Sequence, residues 1–128
     1  MPTAEPAGPS LPRNFLRPCV LLLLREQPAH GYELLERLSS FGFSRDDPGR
    51  LYRTLRALER EGHVRSAWER SQSGPDRRIY EVTRKGVEEL HETAKGLVNA
   101  ADVVELFLSR YAEFAEIRPK AVPVKSEA

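Results

Sequence analysis

The sequence predicts a mainly α chain with one small β-hairpin and a long C-terminal helix. Three observations predict it. Helical apolar spacing recurs in three short segments between residues 16 and 61, two alternating segments follow at 63–68 and 77–82, and a heptad pattern then runs unbroken from 87 to 115. At 128 residues the chain has room for one domain and an added arm or helix.

The first helix is read at 16–26, where LRPCVLLLLRE is apolar almost all round and is therefore expected to be buried; Pro28 stops it. The second is read at 30–40, with Tyr32, Leu34, Leu35 and Leu38 forming its apolar face and Gly42 ending it. Asp46 or Asp47 can cap a third helix, Pro48 suits its first turn, and Gly62 stops it. The strands at 63–68 and 77–82 flank SQSGPD, whose Gly74-Pro75 step marks a turn, and Ile79 is expected to anchor the second strand in the core. Thr83 can cap the final helix, which is expected to reach about residue 116.

The third helix raises the functional question. Its turns advance by about 100° per residue, so with Arg50 at about 0°, Arg53, Arg56 and Arg60 fall at about −60°, −120° and −80°. Leu51, Leu55 and Leu58 fall at about 100°, 140° and 80°, on the opposite face. One reading is a solvated surface helix, with Glu59 and Glu61 pairing with neighbouring arginines. The other comes from context. Three helices followed by a hairpin is the order of a winged helix-turn-helix, whose last short helix enters the major groove. Arginine's planar fork suits that place, because it bonds guanine O6 and N7 together or grips phosphate. Arg70, Arg77 and Arg78 flank the hairpin loop and can reach phosphates or the minor groove.

Charge is divided along the chain although the total is only +1. Residues 44–86 hold eleven basic and seven acidic side chains, a net +4, and residues 87–118 hold three and seven, a net −4. Two segments with opposite balances suggest two tasks. In the final helix Val87, Leu90, Ala94, Leu97, Ala101, Val104, Leu108, Tyr111 and Ala115 recur at spacings of three and four. This a/d seam is long for a small domain to cover, and it favours packing on a second copy over folding back on its own chain. Ala94 and Ala101 allow close approach there, whereas Gly86 and Gly96 each weaken the helix by about 1 kcal/mol relative to alanine.

The remaining chemistry is sparse. Cys19 is the sole cysteine, which excludes a disulfide framework; it is expected to be a packing residue, with redox sensing the alternative. His30, His63 and His91 stand in different elements and suggest no metal site. No glycine-rich phosphate loop or nucleophile–base neighbourhood argues for an enzyme, and no cofactor is expected. The apolar run at 20–24 is too short to span a bilayer and no cleavage site follows it, so a reducing cytoplasm is expected. Trp68, Phe107, Tyr111 and Phe114 are either core aromatics or the lining of a small-molecule pocket.

Three segments together resemble the PadR family of bacterial transcriptional regulators: HGYELLERL at 30–38, GRLYRTLRALEREGHV at 49–64, and Trp68 with RRIYEVTRKG at 77–86. The opening NFLRPCVLLLLRE resembles the subset labelled polyhydroxybutyrate-responsive repressors. The resemblance implies a homodimeric repressor on a palindromic double-stranded DNA operator, with a small-molecule effector in some members and no membrane. Proline-rich ends with few large apolar residues, together with the helix and strand patterns between them, lead us to expect a disordered arm at 1–13, a winged helix-turn-helix at 14–86, a dimerisation helix at 87–117 and a flexible tail at 118–128. The expected DNA contacts are Tyr32, Arg50, Tyr52, Arg53, Arg56, Arg60, Arg77 and Arg78. The expected dimer seam is Leu90, Ala94, Leu97, Ala101, Val104, Leu108 and Tyr111. A winged-helix module that binds another protein, and not DNA, is the rival reading.

Overall fold

The computed structural model describes residues 12–115. The expected arm at 1–13 lies outside the described residues apart from Pro12 and Arg13, as do residues 116–117 of the expected last helix and the whole tail at 118–128. The elements are α1 (Leu16–Glu26), β1 (Ala29–His30), α2 (Gly31–Leu38), a 3₁₀ turn (Ser39–Phe41), α3 (Pro48–Arg60), β2 (Val64–Glu69), β3 (Arg77–Val82) and α4 (Arg84–Ala115). This is the expected mainly α fold with a long C-terminal helix. The chain forms two compact units, Met1–Glu92 and Thr93–Ala128.

Helix boundaries follow local chemistry. At α2 the Glu33 carboxylate reaches back to accept the His30 N–H at 2.8 Å. This hydrogen bond is the first cause of a Glu33 carboxyl held below its usual range. At α3 the Asp47 carboxylate accepts the Arg50 N–H at 3.3 Å, and Pro48 takes the first helical position, where a missing N–H costs nothing. Gly62 ends α3 at φ 84°, a conformation that favours glycine, and lets His63 N–H return to Leu58 O at 2.9 Å. Thr83 Oγ1 accepts the Gly86 N–H at 3.1 Å and opens α4.

The core of the first unit is built by α1, α2 and α3. Val20, Leu21, Leu34, Leu38, Leu51, Leu55 and Leu58 are fully buried, with Val64 and Tyr80 closing it from the sheet. Cys19 sits in this core, where burial pushes its thiol up to about 11. Leu90 packs on the same core from α4. Gly86 is buried because the helix touches down there: a Cβ would collide with the His63 carbonyl and the Val82 side chain.

Three expectations need correction. The hairpin is one part of a three-stranded antiparallel sheet in the order β1-β3-β2, because Ala29 and His30 pair with Tyr80 and Ile79. Residue 30 therefore ends a short strand before the helix begins. Tyr32 is not on the apolar face of α2; it is 53% exposed. Its ring stacks on the neighbouring His30 at 5.6 Å and takes the Arg77 guanidinium at 5.6 Å, a contact that comes from tertiary structure and not from helix spacing. In β3 the buried residue is Tyr80 and not Ile79, since Tyr80 shares its sheet face with Ser66 and the core.

Candidate nucleic-acid interface

The sequence-level separation of leucines from arginines on α3 is realised. Leu51, Leu55 and Leu58 are buried, while Arg50, Arg53, Arg56 and Arg60 are exposed on the other face. The fate of the two glutamates decides how this face is charged. Glu59 accepts the Ser66 hydroxyl of β2 at 2.7 Å. Glu61 pairs with Arg17 of α1 at 2.5 Å. Both carboxylates that could have neutralised the helix are thus committed to neighbouring elements. Among the described residues no ion pair forms with Arg50, Arg53, Arg56 or Arg60. Arg50 lies over the Phe43 ring at 5.7 Å, which holds it near the start of the helix.

Arg17 does more than engage Glu61. It also donates to Glu89 of α4 at 2.7 Å, and His63 Nε2 lies 2.9 Å from the same carboxylate. The Arg17 hydrogen bond is the main cause holding the Glu61 and Glu89 carboxyls below their usual range. This network ties α1, the end of α3 and the first turns of α4 together.

Tyr52 is 37% exposed. Its ring lies so close over Gly31 that a Cβ there would overlap it, which explains the glycine of the HGYE segment. On the wing, Arg77 is exposed and donates to the Tyr32 hydroxyl at 2.9 Å. Arg78 is exposed and lies over the Trp68 ring at 4.7 Å. The wing is fastened to α2 by His30, whose Nε2 is 2.6 Å from Glu69 and whose Nδ1 is 3.0 Å from Glu33. Sequence reasoning missed this fastening; only the β3 register, which sets His30 beside Ile79 and Glu69 beside Arg77, brings the partners together.

The candidate seam residues are spread along α4. Leu90 is half-buried against the core of its own chain, so the uncovered part of the stripe begins after it. Leu97 and Leu108 are half-buried, and Ala94, Ala101, Val104 and Tyr111 are exposed. Phe107 and Tyr111 stack at 6.3 Å, and Phe114 is 85% exposed. Among the described residues no helix is long and apolar enough to cross a membrane, and no group of three His, Cys, Asp or Glu side chains is placed to hold a metal ion.

Comparison with known proteins places these features in a family. The sequence model of the transcriptional regulator PadR-like family matches residues 20–92, more than half of the chain. No curated protein matches. Among solved structures, a conserved protein of unknown function described as a potential transcriptional factor is 32% identical, with a TM-score of 0.69 over 84% of this chain and 99% of that one. A PadR-like transcriptional regulator from Bacillus cereus is 29% identical, with a TM-score of 0.65 over 73% of this chain and 90% of that one. Bacillus subtilis PadR in complex with operator DNA is 23% identical, with a TM-score of 0.56 over 62% of this chain and 46% of that one; at that identity the likeness is one of fold. None of these three likenesses bears on the narrower resemblance to the polyhydroxybutyrate-responsive subset.

Proposed function

The chain belongs to the PadR-like family of transcriptional regulators, and from that premise we propose that it is a homodimeric repressor that reads a palindromic operator with α3 and grips the adjoining backbone with the wing. The observation that carries the reading is the arginine face of α3, left without carboxylate partners because Glu59 and Glu61 are engaged by Ser66 and Arg17. Arg53, Arg56 and Arg60 are the proposed groove contacts. Arg50, Tyr52, Tyr32, Arg77 and Arg78 are proposed to meet the sugar-phosphate backbone. The Bacillus subtilis PadR solved with operator DNA lends the fold a precedent for this use.

The dimer is proposed on the apolar stripe of α4. Val104, Phe107, Tyr111 and Phe114 are exposed in the single chain, and a second copy with the same stripe would cover them. Two reading heads would then address half-sites about 34–36 Å apart, one turn of DNA. Repression follows by occupancy, since a dimer on its operator blocks polymerase, in the cytoplasm where the DNA lies. A small-molecule effector would act by changing the spacing of the two heads.

A gel shift with the DNA upstream of the protein's own gene, at two salt concentrations, tests the core of this reading. Replacing both Arg53 and Arg56 by alanine should weaken binding by about 1–3 kcal/mol for each residue that contacts a base edge through both arms of its fork. A residue touching only phosphate should instead flatten the salt dependence by about one unit. Unchanged affinity and slope in a double variant with native circular dichroism would remove α3 as the reading element.

A further inference from the structure

We propose that Trp68 is a DNA-contacting residue: with Arg78 it forms a cationic shelf on the wing that packs against the deoxyribose-phosphate backbone of the operator. The proposal rests on the DNA-reading role of α3 and adds a residue that role does not itself require.

Trp68 is 64% exposed, although it is the largest apolar side chain in the protein. A lone exposed apolar residue would be unremarked on most surfaces. Here the register gives it an address. Trp68 stands directly opposite Arg78, two residues beyond the Ser66–Tyr80 pair, so all four side chains share one face of the sheet. That face fronts α3, because Ser66 donates to Glu59 and Tyr80 is buried in the core. The shelf thus lies on the sheet face that meets α3 at Glu59, next to Arg60 in sequence.

Its chemistry fits one occupant. The Arg78 guanidinium carbon lies over the indole, 4.7 Å from the ring centroid, and among the described residues it has no carboxylate partner. Glu69, the nearest acid along β2, points to the opposite face and is held by His30. An apolar plane next to an unneutralised guanidinium matches the succession of sugar and phosphate along a DNA strand. The ring offers dispersion contacts to the sugar, and the fork offers charge-assisted hydrogen bonds to the phosphate. A second copy of this chain would have to bring a carboxylate to Arg78 instead. Arg77 is the contrasting case: it lies on the other face, tied to Tyr32.

Trp68 is the chain's only tryptophan, so its emission reports this position alone. Titrating the full chain with duplex DNA from upstream of its own gene should change the emission with the same isotherm as a gel shift. Trp68→Ala should weaken binding about tenfold, the scale of one aromatic contact to nucleic acid, with the salt slope unchanged. Arg78→Ala should flatten that slope by about one unit. Because Trp68 is exposed, its loss leaves the core intact, and circular dichroism checks this. If the wild type binds, the Arg53 and Arg56 double variant fails, and Trp68→Ala binds normally with no emission change in the wild type, the shelf is overturned while the α3 reading stands. Emission that tracks protein concentration without DNA assigns Trp68 to a contact between copies and overturns the proposal as well. A wild type that ignores DNA overturns both.

Discussion

Glu89 shows how single residues hold the first unit together. Its carboxylate is engaged by Arg17 at 2.7 Å and by His63 at 2.9 Å, and the Arg17 bond is the first cause of its lowered pKa. A carboxyl with a depressed folded-state pKa adds stability above its unfolded value and loses it as pH falls through the folded value. Glu89→Gln should therefore be less stable than wild type at pH 7, and the gap should close as pH drops below about 4.3, the ordinary glutamate value. Urea midpoints at pH 7, 5 and 3 measure this. A gap that stays constant across that range would show that shape, and not charge, makes the contact. Other single residues were legible in advance to different degrees. The arginine and leucine faces of α3 follow from a rotation angle alone. The diversion of Glu59 and Glu61 does not, since Ser66 and Arg17 reach them only once β2 and α1 are in place. Tyr32 misled for the same reason: its spacing suits the apolar face, but Arg77, distant in sequence, takes its ring.

At the scale of elements, helices were easier to read than strands. α1, α3 and α4 carry long periodic patterns with caps or stops, and they form at the expected residues to within one or two positions. β1 has two residues, Ala29 and His30, too few to show any period, and its partner strand lies about fifty residues further on. Glycines in α4 separate the local from the tertiary contribution. Both Gly86 and Gly96 weaken the helix by about 1 kcal/mol relative to alanine. At Gly96 a Cβ would meet nothing within 4 Å, so Gly96→Ala should raise stability by up to about 1 kcal/mol. At Gly86 the Cβ would strike the His63 carbonyl, a rigid backbone group, and overpacking costs about 1–3 kcal/mol, which exceeds the helical gain. Gly86→Ala should therefore melt at a lower temperature than wild type and Gly96→Ala at a higher one. Two upward shifts would show that helix propensity, and not the touchdown on His63, governs both sites.

For the whole molecule the open matter is assembly. Leu97 and Leu108 lie on the stripe proposed to join two copies, among exposed Val104, Phe107 and Tyr111. Leu108→Asp would put an unpaired charge into an apolar interface, at a cost of several kcal/mol. The first unit has its own core of leucines from α1, α2 and α3, so it should stay folded. Sedimentation should then show a monomer, and the gel shift should lose operator preference before it loses all DNA affinity. A variant that remains dimeric and keeps its preference would mean that the heads are joined elsewhere. The heptad pattern on which the dimer is proposed was legible in the sequence; that Leu90 packs on the core of its own chain was not, because it shares the same spacing.

Cys19 gives the molecule a chemical temperament. The thiol is walled in by leucines, and burial pushes it up to about 11, so at neutral pH it stays protonated and withholds the thiolate that peroxides and alkylating agents attack. Electrophiles gain entry only in the brief openings of the core. A core made this way shields its one thiol, and the rate at which that thiol is consumed becomes a clock for how often the leucine core comes apart.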